Sequence, residues 1–497
     1  MRKAMKKRSI TSKIYRIQLY CLLIPILCLT VWNSGSAQLI NLKSIPVATG
    51  EQFLLFPSNN FGMGGVSIAL RDELYDPYIN PVKGANISGA WLYSSPVHYN
   101  ISDDFGSGTS LPMGAMFRSE KMFGGVTLAY QSIKTAPTAG WWWGGNNQTL
   151  SDRAKDNYYL YGMGGMKLSG SSSIGASIFY AGLSALDGVD LLYANSEKID
   201  QSGHLYNVRV GYSANIRDRR SYELLLIHSS IDMQHDVFYR TGTWNFNTWI
   251  PGPRTEINLD ETRTWGIHAG YVEHLQPSDW NIGGILTFNY KTHPKIPNYE
   301  IMNIPRDPGD TWAYNIGIGA SKQVDFTTFG FDLIFEPIWS NTWADTEIPI
   351  ETQSGKIIPA GGKTVENDFR FLNYLVRMGI SRELDSFGFQ LGLQMRTIGY
   401  HLEQTNFVEE FDREQWERWN EWTLNWGLLF KFSEFQLRYI GQAVTGTGRP
   451  GVGGGWPEFG IRTFAAGDFI VAPSGDLTLQ DAVVMTHQLV VMIPMYR

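Results

Sequence analysis

Cysteine is nearly absent from this 497-residue sequence, and its two cysteines, Cys21 and Cys28, lie close to the N-terminus. The stretch around them has seven basic residues, then an apolar run over residues 19–32, then small residues, which is the pattern of a secretory signal. The run is short for a membrane span, which disfavours an uncleaved anchor helix. We therefore predict that residues 1–37 are a signal peptide cleaved near Ala37. The mature chain would then contain no disulfide, no thiol nucleophile and no Cys-ligated metal.

Charge is also scarce, since charged residues make up only 18% of the chain. Residues 1–37 hold seven basic and no acidic residues, so 34 basic and 47 acidic residues remain after them, a net charge of −13. That balance argues against a nucleic-acid partner, for which a basic surface is expected. After the N-terminus, no stretch is apolar for long enough to cross a membrane as a helix.

Aromatic residues and glycine are plentiful, and they follow a period of two. Large apolar residues alternate with small or polar ones in residues 206–213, 312–319, 387–396 and 422–432. This alternation predicts β-strands with one apolar face. Aromatic side chains often lie at the ends of these strands, as in the girdles at the membrane interfaces of transmembrane barrels.

The connections between the predicted strands alternate strictly between short and long. This sorting is typical of an outer-membrane barrel, with short periplasmic turns and long extracellular loops, whereas a soluble β-sandwich has no reason for it. We count sixteen strands over residues 88–497 and predict an all-β, antiparallel, up-and-down transmembrane barrel. The short turns are predicted at residues 119–122, 169–172, 216–219, 274–279, 323–325, 383–385 and near Ser433, and the long connections at residues 96–110, 133–155, 184–202, 230–261, 291–310, 338–367, 398–420 and 444–484.

Residues 38–87, ahead of the barrel, are predicted to be either an ordinary N-terminal loop over a core or a kinked plug or hatch packed in or under the barrel, and we favour the plug. An apolar run ends at Pro57, a glycine cluster follows, and Pro77 and Pro81 forbid a long regular element. The residues that carry this pattern are Phe53, Leu54, Leu55, Gly62, Met63, Gly64, Gly65, Asn80 and Pro81.

The order and spacing of these residues resemble the N-terminal signature of the FadL superfamily of outer-membrane barrels, most closely its PorV-type branch. The sequence departs from the signature at Val82 and at the Asn59–Asn60 pair. The resemblance implies fourteen strands rather than the sixteen we count. It also implies a role in transport, because FadL-type members move hydrophobic compounds inward and PorV-type members bind cargo for the type IX secretion system.

Motifs for catalysis or cofactor binding are weak. Gly446, Gly448 and Gly451 form a GxGxxG pattern, but Pro450 within it favours a flexible loop over a dinucleotide site. The acidic run over residues 409–414 reads as a solvated loop, and no spacing of His or carboxylates predicts a metal site. We predict no enzyme, no cofactor and no metal.

Charged residues also fall on the predicted inward faces of strands. We interpret them as lining a solvated lumen or holding the plug, rather than as ligand-binding groups. They are Arg209, Asp332, Glu336, Arg396, Lys431 and Arg438.

These observations predict a protein of the cell outer membrane of a Gram-negative organism, embedded in lipid. Its partner would be a hydrophobic small molecule, or secreted cargo and secretion-system components. Two alternatives are a structural or surface-interaction barrel that works through its outer loops and a secreted soluble β-protein. Trp141, Trp142 and Trp143, in a predicted outer loop, are expected to pack on the rim of the barrel.

Overall fold

The computed structural model describes most of the chain that follows the predicted signal peptide. The described residues are 56–102, 106–135, 154–184, 197–216, 219–240, 243–245, 248–250, 252–292, 309–346, 348–451 and 478–495. The predictions for residues 1–37, for Phe53, Leu54 and Leu55, and for Trp141, Trp142 and Trp143 lie outside these ranges.

Short helical turns come first, and strands make up nearly all of the rest. The turns are a 3-10 turn at Phe61–Met63, the helix α1 (Asp76–Ile79) and a 3-10 helix at Pro81–Asn86. The strands are β1 (Ala90–Ser94), β2 (Val97–Ile101), β3 (Gly106–Arg118), β4 (Met122–Thr135), β5 (Ala154–Lys167), β6 (Ser172–Leu183), β7 (Lys198–Ile216), β8 (Arg220–Tyr239), β9 (Thr243–Asn245), β10 (Thr248–Ile250), β11 (Arg254–Leu275), β12 (Trp280–Thr292), β13 (Gly309–Val324), β14 (Thr327–Asp345), β15 (Ile350–Glu351), β16 (Ile357–Ile358), β17 (Lys363–Glu383), β18 (Phe387–Asn406), β19 (Phe411–Lys431), β20 (Gln436–Gly451) and β21 (Thr478–Pro494). Within the described ranges, no helix has the length and apolar character that crossing a membrane requires.

The large sheet closes on itself. From β3 onward, each strand of this sheet pairs antiparallel with the next strand that belongs to it, and β1 and β2 pair with β3 on one side and with β21 on the other. These two short strands therefore form one wall strand, interrupted at Ser95 and Pro96, where proline cannot donate to the ladder. Counted this way the barrel has sixteen strands, as the alternation predicts, and not the fourteen that the family resemblance implies. A closed sheet also excludes the two-sheet soluble sandwich.

The two faces of the wall differ as a transmembrane barrel requires. On β13, Trp312 and Ile318 are 45% and 61% exposed on the outer face, whereas Ala313 and Asn315 point inward and are 1% exposed. Trp265, Tyr290, Trp312 and Trp339 are register partners on four neighbouring strands. Trp265, Trp312 and Trp339 are exposed on the outer face and form part of an aromatic girdle with Tyr290. The fold is therefore that of a transmembrane barrel of the outer-membrane type.

All seven predicted short turns are present between paired strands, but several predicted long connections are wrong. Residues 97–101 are strand β2, within the predicted connection 96–110. The predicted loop 398–420 is mostly strand, because β18 and β19 continue to a tight turn at residues 407–410, and the acidic run enters β19. Gly448 and Gly451 pair with β21, so this part of the GxGxxG pattern is strand rather than flexible loop. Small hairpins, β9–β10 and β15–β16, lie within the predicted connections 230–261 and 338–367.

The wall is taller than a membrane requires. Strands β17 to β19 each have 20 or 21 residues, about twice the 9–11 residues that span a bilayer. On their outer faces apolar residues become sparse beyond Leu372, where exposed Trp416 lies among charged residues such as Arg370, Glu403 and Glu414 toward the end opposite the short turns. The apolar band therefore occupies the half of the wall next to the short turns.

Candidate functional site

The candidate site is the interface between the barrel wall and residues 56–89, which we call the inner segment. Its backbone is kinked by the residues that the sequence singles out. Gly64 and Gly65 have φ of 74° and 71°, in the left-handed region that glycine adopts without strain. The Asn80 side chain accepts a hydrogen bond from the Val82 amide at 3.3 Å and caps the Pro81–Asn86 helix.

Asp72 joins the two halves of the inner segment, residues 58–71 and residues 72–89. Its carboxylate accepts hydrogen bonds from the Ser58 hydroxyl at 2.6 Å and from the Asn59 amide at 2.7 Å. It also accepts from the amides of Leu74 and Tyr75 at 3.0 and 3.1 Å. One buried carboxylate therefore fixes the start of each half.

The inner segment contacts the inward face of the wall around its whole circumference. The Phe61–Met63 turn lies against β17, β18, β19 and β20, and the Pro81–Asn86 helix lies against β3, β4, β5, β6 and β7. Between these two regions, Ile68 of the inner segment packs against glycines of β12 and β13, and its amide hydrogen-bonds Asp332 of β14. All these contacts fall within about ten residues of the short turns, so the inner segment lies across that end of the bore.

Glycines in the wall make room for the first half. A Cβ atom at Gly392 would lie 2.0 Å from the Gly64 nitrogen, and one at Gly379 would lie 2.2 Å from the Met63 oxygen. Further along, Cβ atoms at Gly319 and Gly330 would meet the side chains of Ile68 and Val66. The backbone of residues 62–68 can lie directly on the wall because these strands lack side chains there.

Polar side chains of the wall hydrogen-bond the backbone of the first half. Asp332 accepts from the Ser67 amide at 2.8 Å, and the Arg377 guanidinium donates to the Gly65 carbonyl at 3.2 Å. Gln390 donates to the Asn59 carbonyl at 2.7 Å, and Arg438 donates to the carbonyl and the side-chain oxygen of Asn59 at 3.1 and 2.9 Å.

The second half is held mainly by aromatic packing. Phe56 and Tyr78 stack with ring centroids 3.8 Å apart, and Tyr161 and Phe179 of the wall pack against Phe56 edge-on. Burial raises the pKa of Tyr78, so its hydroxyl stays protonated and hydrogen-bonds Thr127 at 3.0 Å. Burying these rings stabilises the segment by about 1.5–3 kcal/mol per side chain.

A small ionic network anchors the same half to β8 and β11. The Lys83 ammonium lies 3.8 Å from the Asp76 carboxylate and 3.3 Å from that of Glu223, which also accepts from Asn80 at 3.1 Å. His268 approaches Glu223 at 3.5 Å. Burial raises the pKa of Asp76 to about 7, and the Lys83 ammonium offsets only part of this effect.

The six predicted inward charges take different positions. Arg209, Asp332 and Arg438 contact the inner segment, and Arg209 donates to the Ile79 carbonyl at 2.6 Å. Glu336 and Arg396 pair with each other at 2.7 Å, both buried in the bore. Lys431 lies half-buried at the short-turn end of the barrel and pairs with Glu383 at 3.0 Å.

Sequence reasoning missed several residues that hold the segment: Asp72, Arg377, Gln390, Glu223 and the wall glycines. The glycines had a visible signal, since they recur on the faces of regular strands that lie opposite the large apolar residues, where a strand gains nothing from lacking a side chain. The polar residues had none, because an inward Gln or Arg looks the same in sequence whether it meets water or a backbone carbonyl. Among the described residues, no three His, Cys, Asp or Glu side chains converge as metal ligands would.

Beyond the inner segment, toward the end with the long connections, the lining of the bore combines apolar and polar side chains. Strands β6 to β8 present buried apolar side chains, including Leu183, Ile199, Leu205, Met233 and Val237, which join the cluster of Phe56 and Tyr78. Strands β12 to β18 present a mixture of buried polar side chains, including Asn289, Thr311, Asn315, Ser340, Asn367 and Gln404, and buried apolar side chains, including Ile338, Phe369, Phe371 and Leu402.

Comparisons with known proteins found likenesses to solved structures alone. No protein-family model matches it, and no curated protein matches its sequence. A FadL homologue of Pseudomonas aeruginosa is 10% identical with a TM-score of 0.44, over 88% of this chain and 99% of that one. The toluene transporter TbuX of Ralstonia pickettii is 11% identical with a TM-score of 0.39, over 88% and 97%.

CdiB from Acinetobacter baumannii is 8% identical with a TM-score of 0.40, over 82% of this chain, which spans 60% of the length of that protein. At these identities and TM-scores the likenesses concern barrel architecture and decide no function.

Proposed function

We propose that the protein is an outer-membrane transport barrel of FadL type that carries a hydrophobic small molecule into the cell. In this proposal residues 1–37 are removed as a signal peptide, residues 38–87 act as a hatch and residues 88–497 form the barrel. The short turns face the periplasm. The hatch prevents free passage of water and ions through the bore.

The observation that carries the proposal is the cluster of apolar side chains on the inward face of β6 to β8. A pore for polar solutes is lined with polar and charged groups, whereas here Leu183, Leu205 and Met233 are buried inward and form one cluster with the aromatic residues of the inner segment. A hydrophobic solute that enters from the outer end would leave water for this surface, a transfer that stabilises it by about 25 cal/mol per Å² of apolar area.

The test is uptake of a labelled monoaromatic hydrocarbon and of a labelled long-chain fatty acid by cells that do or do not express the barrel. We expect Leu205→Gln and Met233→Gln to lower uptake several-fold. Thr311→Gln, an inward substitution on β13, is the matched control and should leave uptake within about twofold. Equal uptake with and without the barrel for both solutes would contradict the proposal.

Protein secretion of PorV type is a second candidate, and a different observation favours it. The tall rim of β17 to β19 is a folded, charged surface beyond the apolar band, where Arg370 pairs with Asp368 at 3.3 Å and His401 pairs with Glu414 at 2.7 Å. A charged surface can steer and select a protein of complementary charge, whereas it offers a hydrocarbon no apolar contact. Deletion followed by analysis of secreted proteins tests it, and an unchanged secretome would remove this role.

The third possibility, a barrel that works only through its outer loops, makes an opposite prediction for the bore. Excising the β15–β16 hairpin, residues 348–362, would then abolish partner binding while Leu205→Gln leaves it intact. The outer-membrane location is tested by membrane fractionation and by heat-modifiable gel mobility, and extraction without detergent would contradict it.

A further inference from the structure

One strand of the barrel wall loses a neighbour partway along its length. β19 pairs with β18 along nearly its whole length, but its pairing with β20 ends at Trp422 and Thr445. Beyond that point β20 continues to pair with β21, after a register shift, and no longer pairs with β19. On the β20 side, residues 411–421 of β19 therefore have no partner strand among the described residues. We call this stretch the open edge.

The open edge lies outside the lipid. Outward side chains lower on β19, such as Trp422 and Leu428, are apolar, whereas those of the open edge include the exposed Asp412, Glu414 and Arg418. The open edge lies at the end of the barrel opposite the short turns, and in the orientation proposed above this end faces outward from the cell. Water can hydrate its backbone there, whereas unpaired backbone groups within lipid would be costly.

The hydrogen bonds of β19 identify the backbone groups that face the open side. The Lys431 amide donates to the Ser386 carbonyl on the side of β18, and the Phe432 amide donates to the Phe435 carbonyl on the side of β20. Successive residues of an antiparallel strand direct their amide and carbonyl groups to opposite neighbours. The register of β18 and β19 is constant, so the amides and carbonyls at even positions from 412 to 420 face the side without a strand.

A second copy of this chain does not fit the open edge. Two copies upright in one membrane are related by a twofold axis along the membrane normal. Their β19 strands, each tilted by about 40°, would therefore cross at about 80°. Neighbouring strands of a sheet differ in direction by only about 20–25°, so the two edges cannot pair along their length.

An exposed edge of this kind can accept an extended peptide as an added strand, and its charges select which one. Asp412 and Glu414 give the upper part of the open edge a negative charge. Neither carboxylate is paired with Lys or Arg among the described residues, since Glu414 lies 2.7 Å from His401 and Asp412 accepts from Thr405 at 2.8 Å. Like charges directly opposite each other destabilise a strand pair, so a basic segment is favoured and an acidic one is rejected.

Trp416 and Arg418 complete the outward face of the open edge. The Trp416 ring stacks on His401 with centroids 3.9 Å apart and is still 69% exposed. It therefore offers apolar area to an aromatic residue opposite it, a pair that stabilises sheets. Arg418 is exposed on the same face and complements an acidic residue.

We propose that the open edge binds an extended segment of another protein as an antiparallel strand. Its basic residues lie opposite Asp412 and Glu414, an aromatic residue lies opposite Trp416, and an acidic residue lies opposite Arg418. From its N-terminus the segment follows the order acidic-x-aromatic-x-basic-x-basic, in which x marks residues on the inward face. This direction continues the antiparallel ladder that β20 forms with the lower part of β19. The inference requires no solute to pass through the bore.

The probe is the fluorescein-labelled peptide Thr-Thr-Glu-Thr-Tyr-Thr-Lys-Thr-Lys, whose residues would pair with positions 420 to 412. Its binding to the full barrel in lipid nanodiscs is measured by fluorescence anisotropy. N-methylation of the Tyr and of the first Lys blocks amides that would face β19, and we expect it to weaken binding about tenfold or more. N-methylation of the two Thr residues that flank the Tyr is the matched control, because their amides face away, and it should change binding by less than about threefold. Equal effects of the two modifications would overturn the proposal.

A change in the charge of the peptide tests the selection. A peptide with Glu in place of both Lys residues should bind about tenfold more weakly, because it would place carboxylates opposite Asp412 and Glu414. Equal binding of the two peptides would overturn the assignment of a basic partner.

A pair of variants tests the backbone of the open edge. Arg418→Pro removes an amide that faces the open side and takes no part in the ladder with β18, so the barrel should keep its native heat-modifiable gel mobility. Arg418→Ala removes the same charge and keeps the amide. We expect the proline variant to bind the peptide about tenfold more weakly than the alanine variant. Equal binding by the two variants would contradict pairing along β19.

Residues 452–477, which connect β20 with β21, are the rival occupant. If they hold the open edge, the peptide should bind only after they are replaced by a short glycine–serine linker, and that outcome would overturn the proposal. Binding of the peptide to the full chain supports it. Absence of binding to both proteins would also overturn it.

Discussion

The two halves of the inner segment are held in the same bore by opposite means. Residues 58–71 lie on glycines of the wall and are fixed by hydrogen bonds to backbone atoms, as at Gly65 and Ser67. Residues 72–89 are held by their own side chains, through the stacking of Tyr78 and the ion pair of Lys83 with Glu223. The position of the first half therefore depends on glycines in the wall, which leave room for its backbone. The position of the second half depends on the side chains of the segment itself.

This difference determines how each half fails. A methyl group added to the wall obstructs backbone that cannot move aside, whereas a side chain removed from the second half leaves a cavity that neighbours partly fill. The following four substitutions test the comparison, from the largest expected effect to the smallest.

Gly392→Ala should have the largest effect, because the new Cβ atom would lie 2.0 Å from the Gly64 nitrogen. We expect residues 58–71 to be displaced from the wall. The yield of folded barrel should then fall, and the ion conductance in planar bilayers should rise. Gly164→Ala is the matched control, since a Cβ atom there has nothing within 4 Å. Equal yield and conductance for the two variants would refute the account of the wall glycines.

Tyr78→Ala removes the stacked ring at the centre of the second half. We expect a loss of about 3–5 kcal/mol, typical of a buried aromatic residue replaced by alanine. The midpoint of heat-modifiable gel mobility measures it. Tyr78→Phe keeps the ring and should cost much less, so a similar loss for both variants would assign the effect to the hydroxyl instead.

The Asp76 network should make the second half sensitive to pH. The pKa of Asp76 is raised in the folded protein to about 7, so the neutral form is favoured there. The stabilisation is present below the pKa of about 4 that an unfolded aspartate has, and it is lost as the pH rises through 7.

Between pH 5 and pH 7 the free energy of unfolding should therefore fall as the pH rises, by at most about 1.4 kcal/mol per pH unit. The midpoint of unfolding should fall with it. Asp76→Asn should flatten this dependence. A dependence that persists in the variant would place the titrating group elsewhere.

Asp332→Asn should have the smallest effect. The variant keeps an oxygen that can accept from the Ser67 amide but loses the charge, a change worth about 1–2 kcal/mol. We expect a small fall in the unfolding midpoint. A loss as large as that of Tyr78→Ala would mean that the first half is held by charge rather than by close packing.

The barrel itself was predictable because its physical signal is local. Alternation in residues 312–319 gives the inward and outward faces, and turn residues such as Gly170 and Pro277 mark the short hairpins. The sixteen strands follow from these two signals together. For residues 38–87 the sequence predicts only a plug in or under the scaffold, and it does not predict which strands the inner segment contacts.

Two other features could not be predicted from local sequence. They are the ends of strands that lie above the lipid and the residues that hold the inner segment through contacts distant in sequence. The upper parts of β18 and β19 lie beyond the apolar band, so both of their faces carry polar residues and the alternation that identifies a strand is lost. Asp72, Arg377 and Arg438 hold the inner segment through partners that only the closed barrel brings near, in the case of Arg438 from 379 residues away.

The height of the wall has one more consequence. A strand of about 21 residues is roughly 70 Å long, and at the usual tilt of about 40° it rises some 50 Å, while lipid covers only about 25 Å of it. A macromolecule approaching the cell at β17 to β19 would thus meet hydrogen-bonded strands that stand well above the bilayer. It would contact the side chains of these paired strands before it reached the lipid.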